Sequence, residues 1–280
     1  MICHKGKQKH VTNKPPILVN KSYNRPSVFR PDNLLREARR QKGVSAGNVP
    51  EICILDPDGD FLRYVRNSAA GIRDPHWACY HTDLYDFHIN GNPVGVLGCA
   101  VGASFAVLVA EELFASGCRF LISITSAGQI VSVRRPPYFI LIKRALRDEG
   151  TSYHYLPPEP YVEIQSDVYS MLSGLLQDDP SVVRGDVWTT DAPFRETEEA
   201  IAFARSEGLL AVDMEAAALY AFARASGNQI VCFAYVTNQM GTIKSDFEKG
   251  LENGGAVLMD LVSRVVREWR RLGTQNHNRS

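Results

Sequence analysis

The sequence predicts an α/β protein built on a mixed, largely parallel sheet with helices on both faces, and three observations lead there. From Val94 onward, an apolar strand pattern, the loop Gly98-Cys99-Ala100-Val101-Gly102, a helix pattern from Ser104 to Ser116 and a second apolar strand from Phe120 to Ile124 form a βαβ unit. Apolar strand runs keep alternating with amphipathic helix patterns down to the C-terminal helix. Leu209 to Ala223 opens as a short apolar run and turns into a helix pattern, so Asp213 and Glu215 sit where a strand gives way to a helix. In open α/β sheets ligands bind beyond the carboxyl ends of strands, and every chemically suggestive stretch of this chain falls at such an end.

The elements follow in order. Residues 1 to about 30 are basic, contain proline and lack periodicity, which reads as a flexible or loosely docked arm; residues 31–280 read as a single domain. Pro31-Asp32-Asn33 opens a helix through Leu34, Leu35 and Ala38 that Gly43 stops. Glu51 to Leu55 is a strand running into Asp56-Pro57-Asp58-Gly59-Asp60, and Phe61 to Arg66 starts a helix. Trp77 to His81 and Tyr85 to Ile89 carry strand-like residues, and Asn90-Gly91 is a hairpin turn delivering the chain into Val94 to Leu97. Thr125-Ser126-Ala127-Gly128 ends the strand that begins at Phe120, and Tyr138 to Ile142 is another strand. Ser166-Asp167 caps a helix to Leu176, and Val182 to Trp188 is a strand. Thr190 or Asp191 is able to cap the next helix, Glu196 to Glu207. A strand from Ile230 to Val236 and a helix from about Ala256 to Leu272 close the chain.

Composition narrows the function. Among 280 residues, Lys+Arg and Asp+Glu are equal at 31 each, which removes the electrostatic case for nucleic acid or a membrane surface as the main partner. No apolar run approaches the roughly 18 residues that span a bilayer, and Met1 to His10 lacks the apolar core of a signal peptide, so a cytoplasmic protein with a small-molecule substrate is expected. The six cysteines are scattered, and the spacing of His76, Cys79 and His81 matches no common zinc motif, so no metal is expected.

Read by themselves, Asp213 and Glu215 are acids favoured by the helix N-terminus. Gly59 before a helix start, with Arg63 one turn on, is an anion cradle or an ordinary Asp-Gly turn. The Gly98 to Gly102 loop lacks the third glycine of a dinucleotide fingerprint, and no acidic ribose ligand follows it. Ile124-Thr125-Ser126-Ala127-Gly128 lacks the first glycine of a nucleophile elbow, which argues against a serine hydrolase.

Val212-Asp213-Met214-Glu215-Ala216 resembles the Val-Glu-Met-Glu-Ala segment of the purine nucleoside and uridine phosphorylase family, with Asp in place of the first Glu. The resemblance runs from about Glu51 to Leu272. It implies a three-layer α/β sandwich around a mixed, partly barrel-like sheet, assembled as a homo-oligomer, a dimer or hexamer. It implies Glu215 on the ribose 2′ and 3′ hydroxyls, where an acceptor-only carboxylate meets two donors, and Met214 packed under the sugar. Gly59-Asp60-Phe61-Leu62-Arg63 is similar to the family's Gly-Asp-Pro-x-Arg loop and assigns the Gly59 N–H and Arg63 to phosphate, while Ser126 takes the position of a phosphate-binding hydroxyl. Arg147 to Tyr155 looks like a polar loop of uridine phosphorylases; a subunit contact is the alternative use. Trp188 to Thr197 takes the place of the base-binding segment, with Phe194 as the stacking ring and Arg195 or Gln129 for base oxygens.

Two departures matter. Ser123 stands where the phosphorylases carry a phosphate-gripping arginine, a loss on the order of 1.5 to 3 kcal/mol unless Arg73, Arg134 or Arg135 moves in. Asn238 stands where an aspartate protonates the purine; an amide does not titrate, which points to a uridine-like or 6-oxopurine nucleoside. The resemblance therefore implies phosphorolysis of a nucleoside, with inorganic phosphate as co-substrate and no metal or organic cofactor. Ser123 keeps open a nucleosidase that uses water, and incomplete anion and base sites keep open a non-catalytic nucleoside-binding protein.

Overall fold

The computed structural model describes residues 14–68, 71–238 and 254–277. The elements are α1 (Pro31–Lys42), β1 (Ile52–Asp56), α2 (Asp60–Ser68), β2 (Ile72–Arg73), β3 (Tyr85–Ile89), β4 (Asn92–Gly98), α3 (Ala103–Ala115), β5 (Phe120–Gln129) and β6 (Tyr138–Asp148). They continue as β7 (Tyr161–Glu163), α4 (Ser166–Leu175), β8 (Val182–Thr190), α5 (Glu198–Ser206), β9 (Ala211–Asp213), α6 (Ala216–Ser226), β10 (Gln229–Asn238) and α7 (Gly254–His277).

The strands make one mixed sheet that closes on itself. β5 pairs parallel with β10 and antiparallel with β9; β10 pairs antiparallel with β6; β6 runs parallel to β8, and β8 parallel to β9. That circuit of five strands is a barrel. From β5 the sheet also continues outward through β1, β4, β3 and β2, while β7 is attached to β6. The helices fall into two packed groups, α1 with α3 and α6, and α2 with α7 and α4. The α/β sandwich around a mixed, partly barrel-like sheet is the predicted fold class.

The residues explain the layering. All five residues of β1 are buried, the pattern of a strand covered on both faces. Ala216 to Ala223 is an unbroken buried stretch; its alanines let α6 lie close to β10 and β6. No described helix is long and apolar enough to cross a membrane.

Several boundaries differ from expectation. Thr125 to Gly128 does not leave the sheet: β5 outlasts its β1 partner because β10 pairs with it through Gly128 and β9 takes up Gly128 and Gln129. Trp77 to His81 is not a strand, because the Asp74 carboxylate accepts from the amides of His76 and Trp77, both at 2.7 Å, and holds a turn there. The cap of α5 is Thr197, whose hydroxyl accepts from Ala200 N at 3.2 Å, rather than Thr190 or Asp191. The residue that caps α4 is Gln165, without a side-chain bond, rather than Ser166-Asp167. Residues 14–30 run past the 150–155 loop, with Lys21 Nζ 2.8 Å from His154 Nδ1 and the Tyr23 hydroxyl donating to Tyr153 O. His4 and His10 of the arm lie outside the described residues.

Candidate functional site

Glu215 is the centre of the site. It follows β9 and precedes α6, and it is only 1% exposed. Its Oε1 accepts from the Gly102 amide at 2.7 Å, so the glycine loop after β4 is tied directly to the acid. Gly102 adopts φ 91°, a conformation that favours glycine and aims that amide. The other oxygen, Oε2, is buried with no protein partner. A buried carboxyl oxygen left without a donor is costly, and a ligand hydroxyl would satisfy it.

Asp213 has the different task that helix physics assigns it. Its Oδ2 accepts from Ala216 N at 2.8 Å, satisfying an amide at the start of α6, and its Oδ1 accepts from the Thr189 hydroxyl at 2.6 Å. Thr189 lies opposite Asp213 in the β8–β9 ladder and also accepts from Ala217 N at 3.1 Å. Burial pushes the Asp213 carboxyl up to about 6. Burial, then the neighbouring charge of Asp213, pushes Glu215 up to about 8 against the lowering influence of the Gly102 amide and the nearby Thr125 hydroxyl. Met214 between them is half-buried.

The loop after β1 and the last part of β5 meet near Glu215. Asp56, at the end of β1, is buried; its Oδ2 accepts from Leu62 N at 2.9 Å, and burial raises its carboxyl to about 6. Two of the expected phosphate ligands, Gly59 and Arg63, have acceptors within the protein, and the backbone amide of Ser126, whose hydroxyl is the third, has one too. The Gly59 amide donates to Asp56 O at 3.1 Å. The Arg63 guanidinium pairs with Asp60. The Ser126 amide donates to Asp58 Oδ2 at 2.7 Å. Ser123 is buried three positions earlier in the same strand, between Leu55 of β1 and Cys232 of β10. Of the three candidate replacements for the missing arginine, Arg73 is held by Asp83 at 2.6 Å, Arg134 donates to Pro180 O, and Arg135 is exposed.

The base-side candidates are dispersed. Phe194 is 99% exposed and Arg195 is exposed on a 3-10 turn, Pro193–Arg195, because Pro193 starts a tight turn directly after β8. Gln129 is fully buried, its amide nitrogen donating to Arg134 O at 2.9 Å and the Tyr138 hydroxyl at 2.8 Å. Asn238 ends β10 opposite Gly128, beyond a register shift. The 147–155 loop is tied inward: Arg147 donates to the Ser152 hydroxyl at 2.8 Å and to Pro157 O at 2.7 Å, and Glu149 accepts from Thr151 N at 2.6 Å. Residues that sequence reading missed are Asp58 and Thr189. The acid immediately before Gly59 was the signal for the first; Thr189 lay at a strand end with nothing to mark its partner.

A buried acid with one unsatisfied oxygen lies at the carboxyl ends of strands, where α/β proteins place their ligand sites. Residues 51–267 match the model of the phosphorylase superfamily, and the chain belongs to that family, the nucleoside phosphorylases. It is 24% identical over 182 residues to a guanosine phosphorylase of Halorubrum lacusprofundi, covering 64% of this chain and 74% of that protein. Its fold is similar to that of uridine phosphorylase from Vibrio fischeri ES114, solved in complex with 6-hydroxy-1-naphthoic acid: TM-score 0.62, 17% identity, 81% of this chain and 91% of that one.

Proposed function

We propose that the chain cleaves the N-glycosidic bond of a nucleoside, releasing the base and passing the ribosyl group to a small oxygen nucleophile. The observation that carries this reading is Glu215: buried, fixed through one oxygen by the Gly102 amide, and left with a second oxygen that a vicinal diol satisfies. Anchoring the sugar while charge develops at C1′ is catalysis by positioning and electrostatics, and it needs no metal or organic cofactor. Asn238 in place of a titratable acid favours a uridine-like or 6-oxopurine base. The nucleophile is phosphate in the reading that the relatives' names carry and water in the alternative; the ribose anchor serves both.

The test is base release from uridine, thymidine, inosine, guanosine, adenosine and methylthioadenosine. Release from at least one ribonucleoside is expected, falling by about 100-fold or more in E215A with a weaker loss in E215Q. Release from none of them, or release untouched in E215A, overturns the reading. Self-association belongs to the same proposal, supported by bulky apolar side chains left in water, Val28 and Phe194 both at 99% exposure. Light scattering should return a mass above one chain.

A further inference from the structure

Residues 14–30 carry none of the proposed chemistry, yet they are seated on the loop that leaves β6. Ile17 lies over Gly150, where an added Cβ would come within 3.3 Å of its Cδ1. Lys21 Nζ is 2.8 Å from His154 Nδ1, and the Tyr23 hydroxyl donates to Tyr153 O at 3.5 Å. An apolar contact and two polar ones therefore converge on residues 150–154.

That loop is tied to the ribose anchor from both of its ends. Tyr155 donates through its hydroxyl to Glu111 of α3 and sets its ring edge-on against Phe222 of α6, the centroids 5.7 Å apart. α3 starts directly after Gly102 and α6 directly after Glu215, and the Gly102 amide on Glu215 is the bond that fixes the anchor. At the other end, Asp148 pairs with Thr190 and Thr189 with Asp213, so the loop departs from the end of the barrel where the acids stand. The Gly150 amide donates to Asp191 Oδ2 at 2.7 Å, just past β8. A loop spanning α3, α6 and β8 fixes the geometry of what lies between them, and a loose one loses it.

The contact between Lys21 and His154 demands one protonation state. An ammonium has donors only, so Nδ1 accepts and the imidazole is neutral. A protonated ring would face the ammonium as a second cation. The neighbouring carboxylates are engaged elsewhere: Glu111 by the Tyr155 hydroxyl, Glu149 by the Thr151 and Ser152 amides, and Asp191 by the Gly150 amide. Burial, then the Lys21 charge, holds His154 below its ordinary value of 6.5. Protonation therefore favours the undocked arm, and docking weakens as pH falls below 6.5.

Resting on the reading of Glu215 as the ribose anchor, we propose that residues 14–30 are a strap that holds the 150–154 loop against α3 and α6, latched by Lys21 on neutral His154, so that nucleoside binding is coupled to arm docking and weakens in acid. Lys21 and His154 are positioning residues that act through the loop.

The experiment uses the full chain and two readouts. The first is limited digestion with trypsin, which cuts poorly before proline. Lys14, Arg25 and Arg30 all precede proline, which leaves Lys21–Ser22 as the bond to follow within residues 14–30. Cleavage there, measured against a free peptide of residues 14–30, is expected to be at least about threefold faster in H154A at pH 7.5, and to quicken in the unaltered chain, but not in H154A, on going to pH 6. The second readout is turnover of the nucleoside that the panel above identifies. H154A and K21A should raise KM at least about threefold at pH 7.5 with kcat within about twofold, while K21R keeps the cation and stays near the unaltered value. The ratio of variant to unaltered KM should fall towards one by pH 5.5, a convergence that a merely structural role would not give. Cleavage after Lys21 as fast in the unaltered chain as in the free peptide, or unchanged in H154A, overturns the strap. Faster cleavage with KM unmoved overturns its coupling to the site and leaves the proposed function standing. Release from no nucleoside overturns the proposed function and the coupling with it, while digestion still decides the latch. The pH comparison on the unaltered chain decides it even if a variant fails to fold.

Discussion

Glu215 is kept in a costly state: a carboxyl buried beside a second carboxyl, holding a pKa of about 8 where its ordinary value is 4.5. Between those two pH values the folded chain retains a proton that the unfolded chain has lost, so this residue's contribution to stability falls as pH rises from about 4.5 to about 8. Asp213 acts in the same direction between 3.8 and about 6. Substituting Glu215 by Gln removes the titration and keeps the shape. E215Q is therefore expected to match the unaltered protein in Tm near pH 4.5 and to exceed it by at least about 2 °C at pH 8.5, at the expense of activity. Parallel Tm profiles across that range would contradict the assignment. Thr189 offers a second check, since its hydroxyl serves both Asp213 and the Ala217 amide. T189V should cost about 1–3 kcal/mol in urea denaturation, because two buried groups lose a partner while the volume is kept. Glu215 was legible in the sequence because its neighbours form a recognisable run. Asp58 was visible only as an acid before Gly59, because the amide it serves lies 68 residues away.

At the scale of elements, the site is made by loops pressed together rather than by one rigid segment. Gly59 has φ 76°, and a Cβ placed there would lie 2.7 Å from the Cys99 sulfur of the next loop. Cys99 itself holds φ 64°, unusual for a residue other than glycine. The β1 and β4 loops thus fit only because one residue has no side chain. G59A should destabilise by at least about 1–2 kcal/mol, and C99G in the same chain should return part of that loss, since it removes both the sulfur and its strained backbone. Strictly additive urea midpoints would show that the two loops do not press on each other. Element type was readable from hydrophobic period almost throughout, whereas the lengths of β5, β6 and β8 were not. Those strands extend as far as partners remote in sequence keep pairing with them, as β9 does at Gly128 and Gln129, and no local pattern carries that information.

For the whole molecule, the critical joint is where β10 meets β6 and closes the barrel. Their ladder ends with Phe233 opposite Leu141, and the next rung would join Cys232 to Ile142. The Tyr220 hydroxyl of α6 stands in that rung, accepting from Cys232 N at 3.1 Å and donating to Ile142 O at 2.7 Å. Ile142 is also where the β6–β8 register shifts, so one phenol serves the seam on both sides of an irregularity. The predicted sheet contained all of these strands, but its closure depends on this long-range bond, which hydrophobic period cannot reveal. Y220F preserves the ring and its packing and removes only the hydroxyl, leaving a donor and an acceptor unmatched in a dry interior. A loss of about 2–4 kcal/mol is expected in urea, with the slope of the transition unchanged. A loss below about 0.5 kcal/mol would mean that the strands close the rung without the phenol. Because α6 starts directly after Glu215, the same substitution should loosen the proposed ribose anchor: KM for the nucleoside is expected to rise more than kcat falls.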